Sequence, residues 1–190
     1  MFSKILTKQK ELKAKKENYD LLLSKIESDI MSLEKGENIM SYLEKLEVRL
    51  VERQAVNVLC QKQTIAIADF DKHMGKLCKR IVEEKLTAKG GPIAIYYDED
   101  FNPNKCTVEL AIPIKEVVTG TRDLAGGLCA NVTHKGRYCD LPSSYAKLAS
   151  WVEKEGYEII LPPYEIYLTD PKDTKPDDHI TEIYFPIKKK

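Results

Sequence analysis

Apolar positions from Met1 to about residue 35 follow a seven-residue stride. Ile5, Leu12, Tyr19, Ile26, Leu33 and Met40 make one stripe, while Phe2, Leu23 and Ile30 fill part of a second that Gln9 and Lys16 interrupt. No Pro or Gly occurs before Gly36. A heptad repeat keeps one seam turned toward a partner helix, so this pattern predicts a coiled-coil arm over residues 1–46 and a homodimer through residues 1–35. The competing reading is a single amphipathic helix packed on its own domain. Gly36 and Asn38 mark a bend before a short helical stretch, Ile39 to Leu46.

Beyond the arm the pattern changes, and then repeats at a spacing of about 71–74 residues. Ala55-Val56-Asn57-Val58 answers Cys129-Ala130-Asn131-Val132, and Lys76-Leu77 answers Lys147-Leu148. Gly91-Pro92-Ile93-Ala94-Ile95-Tyr96 answers Pro162-Pro163-Tyr164-Glu165-Ile166-Tyr167, and Glu109 to Lys115 answers Glu182 to Lys188. Each half reads strand, helix, strand, strand, giving repeats over 47–118 and 126–188 within a domain of residues 47–190. The first strands span Val48 to Cys60 and Leu128 to His134. The helices carry the stripes Phe70, Met74, Leu77, Ile81, Val82 and Tyr145, Leu148, Val152. Asp69 and Asp140 are placed to begin these helices, Pro142 sits in a first turn, and Gly90 and Gly156 follow the helical patterns. The fold class is therefore α+β: duplicated βαββ units, an antiparallel sheet and a central cleft behind a long N-terminal helix.

Alternation in the later strands separates two faces. Tyr164, Ile166 and Leu168 share one, Glu165 and Tyr167 the other; Glu182 and Tyr184 oppose Thr181, Ile183 and Phe185. Helices would cover one face, so the carboxylates and phenols, with Tyr96 and Glu109 from the first half, are expected on the uncovered one, lining a cleft between the repeats.

Charge narrows the choice of partner. Lys plus Arg equals Asp plus Glu, 30 against 30, without the basic excess that duplex DNA or an anionic membrane selects, so the chain alone is expected to bind neither. The five cysteines form no C-x-x-C pair, which suits a reducing cytoplasm and small core residues rather than disulfides or zinc. His73, His134 and His179 lack E-x-x-H or H-x-H companions, so neither a metal nor another cofactor is expected. No apolar run approaches the ~20 residues of a membrane span.

Several motifs resemble the second half of a GyrI-like effector-binding domain, the module that also ends multidrug-sensing regulators of the MerR family. They are Gly136-Arg137-Tyr138, Leu141-Pro142 with Tyr145, Trp151-Val152, Glu155-Gly156-Tyr157, Pro162 to Tyr167, and Glu182 to Ile187. The resemblance covers roughly residues 47–188, and the heptad arm is similar to the dimerisation helix that precedes the domain in those activators. Because the first residues already read as the arm, no helix-turn-helix is expected upstream of it, and the family's common Gly-Pro-Tyr is Gly136-Arg137-Tyr138. The resemblance implies paired SH2-like units around an aromatic pocket with a glutamate at its floor. Glu165 falls at the matching position, Tyr96, Tyr138, Tyr167 and Tyr184 are the implied pocket aromatics, and Trp151 and Tyr145 are further candidates.

Three functions use these residues. A carboxylate among phenols suits a cationic or amphipathic aromatic molecule, because ring faces and a shielded negative charge both attract a cation; on this leading reading the chain would be a ligand-sensing module of a transcription regulator, as the resemblance implies. The same pocket in a GyrI-like hydrolase of reactive electrophiles would use Glu165 with Tyr138 or Tyr167 to activate water and protonate a leaving carbon. A gyrase-inhibitor-like protein would instead bind another protein through an exposed apolar patch. Glu182 and Glu109 divide evenly between pocket and solvated or structural roles. Trp151, beside Leu148 and Val152 on a helix, divides between core and pocket.

Overall fold

The computed structural model describes residues 46–98 and 101–190; the heptad arm lies outside them. Residues 46–190 form one compact unit. Its strands are β1 (Arg49–Arg53), β2 (Val56–Ile65), β3 (Ile93–Tyr96), β4 (Cys106–Pro113), β5 (Thr121–Leu124), β6 (Gly127–Lys135), β7 (Tyr157–Ile159), β8 (Tyr164–Tyr167) and β9 (Ile180–Lys189). The helices are α1 (Phe70–Glu83) and α2 (Leu141–Lys154), each entered through a single 3-10 turn, Ile67–Asp69 and Tyr138–Asp140. This is an α+β fold with one large antiparallel sheet and two helices.

The strands run in the order β1-β6-β9-β8-β3-β4-β2-β5, with β7 added on β9. Here β1 and β2 are six positions apart, about 29 Å in a flat sheet at ~4.8 Å per strand. Only Gln54 and Ala55 connect them, and three peptide steps reach no more than about 11 Å. The sheet must therefore curl until its two ends meet. They do: a Cβ on Gly126, in the matching connection from β5 to β6, would lie 2.4 Å from the Arg53 carbonyl oxygen and 2.6 Å from the Ala55 nitrogen. The curl also buries the helix-free face on itself, since Val58 of β2 and Cys129 of β6, from strands far apart in the order, share a cluster with Ile93, Ile95 and Tyr164.

The same topology corrects the reading of Val48 to Cys60 as a single strand. No Gly or Pro marks the corner at Gln54-Ala55, yet β1 and β2 belong to different ends of the sheet. β1 pairs with β6 of the second half through Arg49 and Asn131, and β5 pairs with β2 of the first half through Thr121 and Leu59. A shift of 72 positions turns one pair into the other: Arg49 becomes Thr121 and Leu59 becomes Asn131. Each half thus lends its leading strand to its counterpart.

Helix α1 lays Met74 and Leu77 on Leu59, Val108, Leu110 and Ile112 of β2 and β4, and α2 buries Leu148 and Val152 while packing on β6 and β9. Each such side chain contributes about 1.5–3 kcal/mol through removal from water. Neither Asp69 nor Asp140 caps its helix with a side-chain hydrogen bond. Gly156, just past α2, takes φ +72°, a left-handed conformation that suits glycine. After α1 that conformation falls on Lys85, φ 54°, rather than on Gly90.

Candidate functional site

At the centre of the sheet, β3 and β8 pair antiparallel through Ile93 with Ile166, Ala94 with Glu165, and Ile95 with Tyr164. A shift of 71 positions carries Ile93, Ala94 and Ile95 onto Tyr164, Glu165 and Ile166, so the pseudo-twofold relating the halves passes through the Ala94–Glu165 pair. The same shift relates Tyr96 to Tyr167. These two phenols meet with 3.3 Å between their oxygens, and both donate to Glu165 Oε2, at 3.4 Å from Tyr96 and 2.5 Å from Tyr167. Tyr145, one turn into α2, donates to Oε1 at 2.8 Å.

Glu165 is 3% exposed. Burial raises its pKa above the ordinary carboxylate value, and the hydrogen bonds from Tyr167, Tyr145 and Tyr96 oppose that rise. The three phenols are held well above their usual pKa, chiefly by burial and then by the Glu165 charge. They stay protonated donors, and among the described residues no basic side chain donates to Glu165.

A cavity of about 1640 Å³ opens above this group, between the first turns of α1 and α2 and the sheet. It is larger than the roughly 300–1,000 Å³ typical of small-molecule sites. Glu165, Tyr96, Tyr145 and Tyr167 line its floor; Phe70, Phe185 and Met74 continue the apolar wall. Phe70 meets the Tyr167 ring edge-on at 5.6 Å, and Tyr145 lies 5.6 Å from Phe185. The mouth carries Tyr138, Phe101, Ile159, Ile160, Leu161 and Leu168, all exposed apolar or aromatic side chains. A patch of that kind is what the protein-binding reading anticipated, but here it rims a cavity.

The structure places the cavity on the helix-bearing face, not on the face left free of helices. Alternation correctly grouped Glu165 with Tyr167, but β9 pairs Tyr184 with Tyr164 and Glu182 with Ile166, which puts Tyr184 and Glu182 on the opposite side of the sheet from Glu165. There Tyr184 stacks on Tyr164 at 5.0 Å, donates to Glu182 at 2.8 Å and lies under the Arg53 guanidinium at 4.8 Å. Trp151 does not line the cavity; its ring stacks on Tyr157 at 5.8 Å. Glu109 is also on the helix-free face, bound by Arg122 through Nε at 2.8 Å and Nη2 at 2.7 Å and by the Tyr97 hydroxyl at 2.7 Å. Burial alone would raise its pKa, but these hydrogen bonds bring it down to about 2. Phe70, Phe101, Phe185 and the Ile159-Ile160-Leu161 rim escaped the sequence reading, because an apolar residue in a helix stripe or strand end gives no sign of facing a cavity. Among the described residues no group of three His, Cys, Asp or Glu can hold a metal ion, and no helix is long and apolar enough to cross a membrane.

A roomy aromatic cavity with one carboxylate on the axis of a duplicated sheet defines a small-molecule-binding module. The chain belongs to the GyrI-like small molecule binding domain family, whose pattern matches residues 46–188. In fold it is similar to the C-terminal domain of EcmrR, with 20% identity and a TM-score of 0.72 over 77% of this chain and 99% of that one. It is similar also to EcmrR in its complex with DNA in EcmrR-RPo, with 20% identity and a TM-score of 0.71 over 96% of this chain and 71% of that one. A hydrolase from Listeria innocua shares the fold at 13% identity, with a TM-score of 0.56 over 75% of this chain and 92% of that one. No curated protein matches the chain by sequence.

Proposed function

We propose that the chain is the effector-binding module of a transcription regulator and that its ligand is a cationic or amphipathic aromatic molecule seated above Glu165. The observation that carries this is a 3%-exposed carboxylate with three phenol donors and, among the described residues, no basic partner, at the floor of an aromatic cavity. A buried charge left without a counterion costs several kcal/mol, and an organic cation offsets that cost while its apolar body covers the ring faces and the rim. The likeness to EcmrR supports the regulatory setting, with residues 1–35 as the dimerising arm, residues 1–46 as the arm as a whole and residues 47–190 as the ligand-binding domain.

Titration with a cationic aromatic dye and a neutral analogue of matching shape tests this. Glu165→Gln keeps the shape and removes the charge. Binding of the cation should weaken several-fold, with residual affinity from ring contacts of about 0.5–2 kcal/mol each, while the neutral analogue should change little. Equal loss for both overturns the electrostatic role. Turnover of a strained electrophile that disappears with Glu165 would instead establish a hydrolase.

A further inference from the structure

Tyr138 is one of two aromatic groups at the mouth of the cavity, beside Phe101; it is 37% exposed and lies in the 3-10 turn leading into α2. One edge contact comes from Tyr167, with centroids 5.7 Å apart and planes at 84°. The other side is covered by His179, whose ring lies 4.7 Å away at an interplanar angle of 30°. His179 is 5% exposed, sits immediately before β9 and does not line the cavity. Its ring contact with the mouth is made to Tyr138.

His179 is itself held firmly. Its Nε2–H donates to the Thr174 carbonyl at 3.2 Å, and its own carbonyl accepts the Gly136 N–H at 2.9 Å. Flanking ion pairs join the same two segments: Arg137 with Asp177 at 2.7 Å and Lys135 with Asp178 at 3.0 Å. The segment between β8 and β9 thus grips the segment that bears Tyr138 at successive positions, with the imidazole as its one ring contact. Its Nδ1 is buried and finds no hydrogen-bond partner among the described residues. That buried nitrogen is a cost to the fold which the hydrogen bond from Nε2 does not offset.

We propose that His179 is a positioning residue that sets the attitude of the Tyr138 ring, and through it the preference of the cavity for planar aromatic over aliphatic cations. The proposal rests on the cation-binding reading above. A planar cation needs an aromatic wall at a fixed angle to stack on, whereas a compact tetraalkylammonium needs only the floor charge and apolar surroundings.

The test measures binding of ethidium and of tetrapropylammonium to the full chain and its variants. His179→Ala should weaken ethidium about three- to tenfold, the range of one lost ring contact, and leave tetrapropylammonium within about twofold. His179→Phe, which keeps a ring and drops the Thr174 hydrogen bond, should restore ethidium binding. In a Tyr138→Ala background, His179→Ala should have no further effect on ethidium. Equal weakening of both cations by His179→Ala, or an undiminished effect without Tyr138, overturns the proposal and assigns His179 a purely structural role. If Tyr138→Ala leaves ethidium unchanged while Glu165→Gln weakens it, the proposal falls and the cation-binding reading stands; if neither variant matters, both fall.

Discussion

Ala94 faces Glu165 across the β3–β8 ladder, at the one position where the pseudo-twofold axis meets the sheet. Directly opposed residues in an antiparallel pair stand about 4.5–5.5 Å apart. A second glutamate there would set two carboxylates against each other in a buried site. The methyl group of Ala94 leaves a single negative charge on the axis, and the symmetry-related Tyr96 and Tyr167 converge on it from both halves. The floor is thus symmetric in this pair of phenols and asymmetric in its charge and in Tyr145, whose counterpart 71 positions earlier is Met74.

Binding of a permanent cation should depend on pH through Glu165. Burial raises its pKa, so at low pH the carboxyl is neutral and attracts a cation weakly; affinity should climb as pH rises through the folded value and then level off. The neutral analogue should show no such slope. Calorimetric titrations from pH 4 to 8 check this, and Glu165→Gln should flatten the profile.

The same shift makes Glu165 a cost to the fold at neutral pH. The folded state holds the proton more tightly than the unfolded one, so the stabilisation exists below the unfolded carboxylate pKa and is lost as pH rises through the raised folded value. Glu165→Gln should therefore raise the melting temperature at pH 7, and the gain should shrink below about pH 4.5, near the unfolded value. Thermal unfolding at both pH values decides it.

Glu109 behaves in the opposite sense. With Arg122 and Tyr97 holding its pKa at about 2, its contribution to stability is present above the unfolded carboxylate pKa and lost as pH falls toward 2. Arg122→Met leaves the buried carboxylate without its ion pair. The loss should be about 2–3 kcal/mol at pH 7, reduced from the fully buried case because the Arg122 side chain is partly exposed, and smaller in acid. Denaturant unfolding measures this; ligand affinity should stay unchanged.

Two phenols separate the faces experimentally. Tyr145→Phe removes the donor to Glu165 Oε1, which should push the Glu165 pKa higher and weaken cation binding near neutrality by about tenfold or less, the worth of one hydrogen bond to a charged group after partial relaxation. Tyr184→Phe removes the bond donated to Glu182 and the one accepted from Arg53, both on the helix-free face, and should leave affinity unchanged. Parallel titrations of the two variants give the comparison.

Much of this arrangement is legible in the sequence, and the rest is hidden for definite reasons. The repeat is written in local motifs, so Ile93 to Tyr96 and Tyr164 to Tyr167 could be matched directly, and alternation put Glu165 and Tyr167 on one face. Alternation does not say which face the helices cover. Nor does it fix register: whether Tyr184 stands beside Glu165 or Tyr164 depends on how β9 meets β8, a pairing between residues about 20 apart. The corner at Gln54-Ala55 carries no turn residue, so the strand pattern runs through it unbroken. Phe70 and Phe185 follow ordinary core periodicity, and only the space beside them marks them as cavity walls.

The exchange of β1 and β5 between the halves has a mechanical consequence. To swing one half away from the other, the chain would have to break the β1–β6, β2–β5 and β3–β8 ladders together, while both two-residue crossings, packed against each other at Gly126, blocked the hinge. The module cannot open like a book around its occupant. Whatever room a bulky guest needs must come from α1, α2 and the segments above the cavity sliding over a sheet that stays whole.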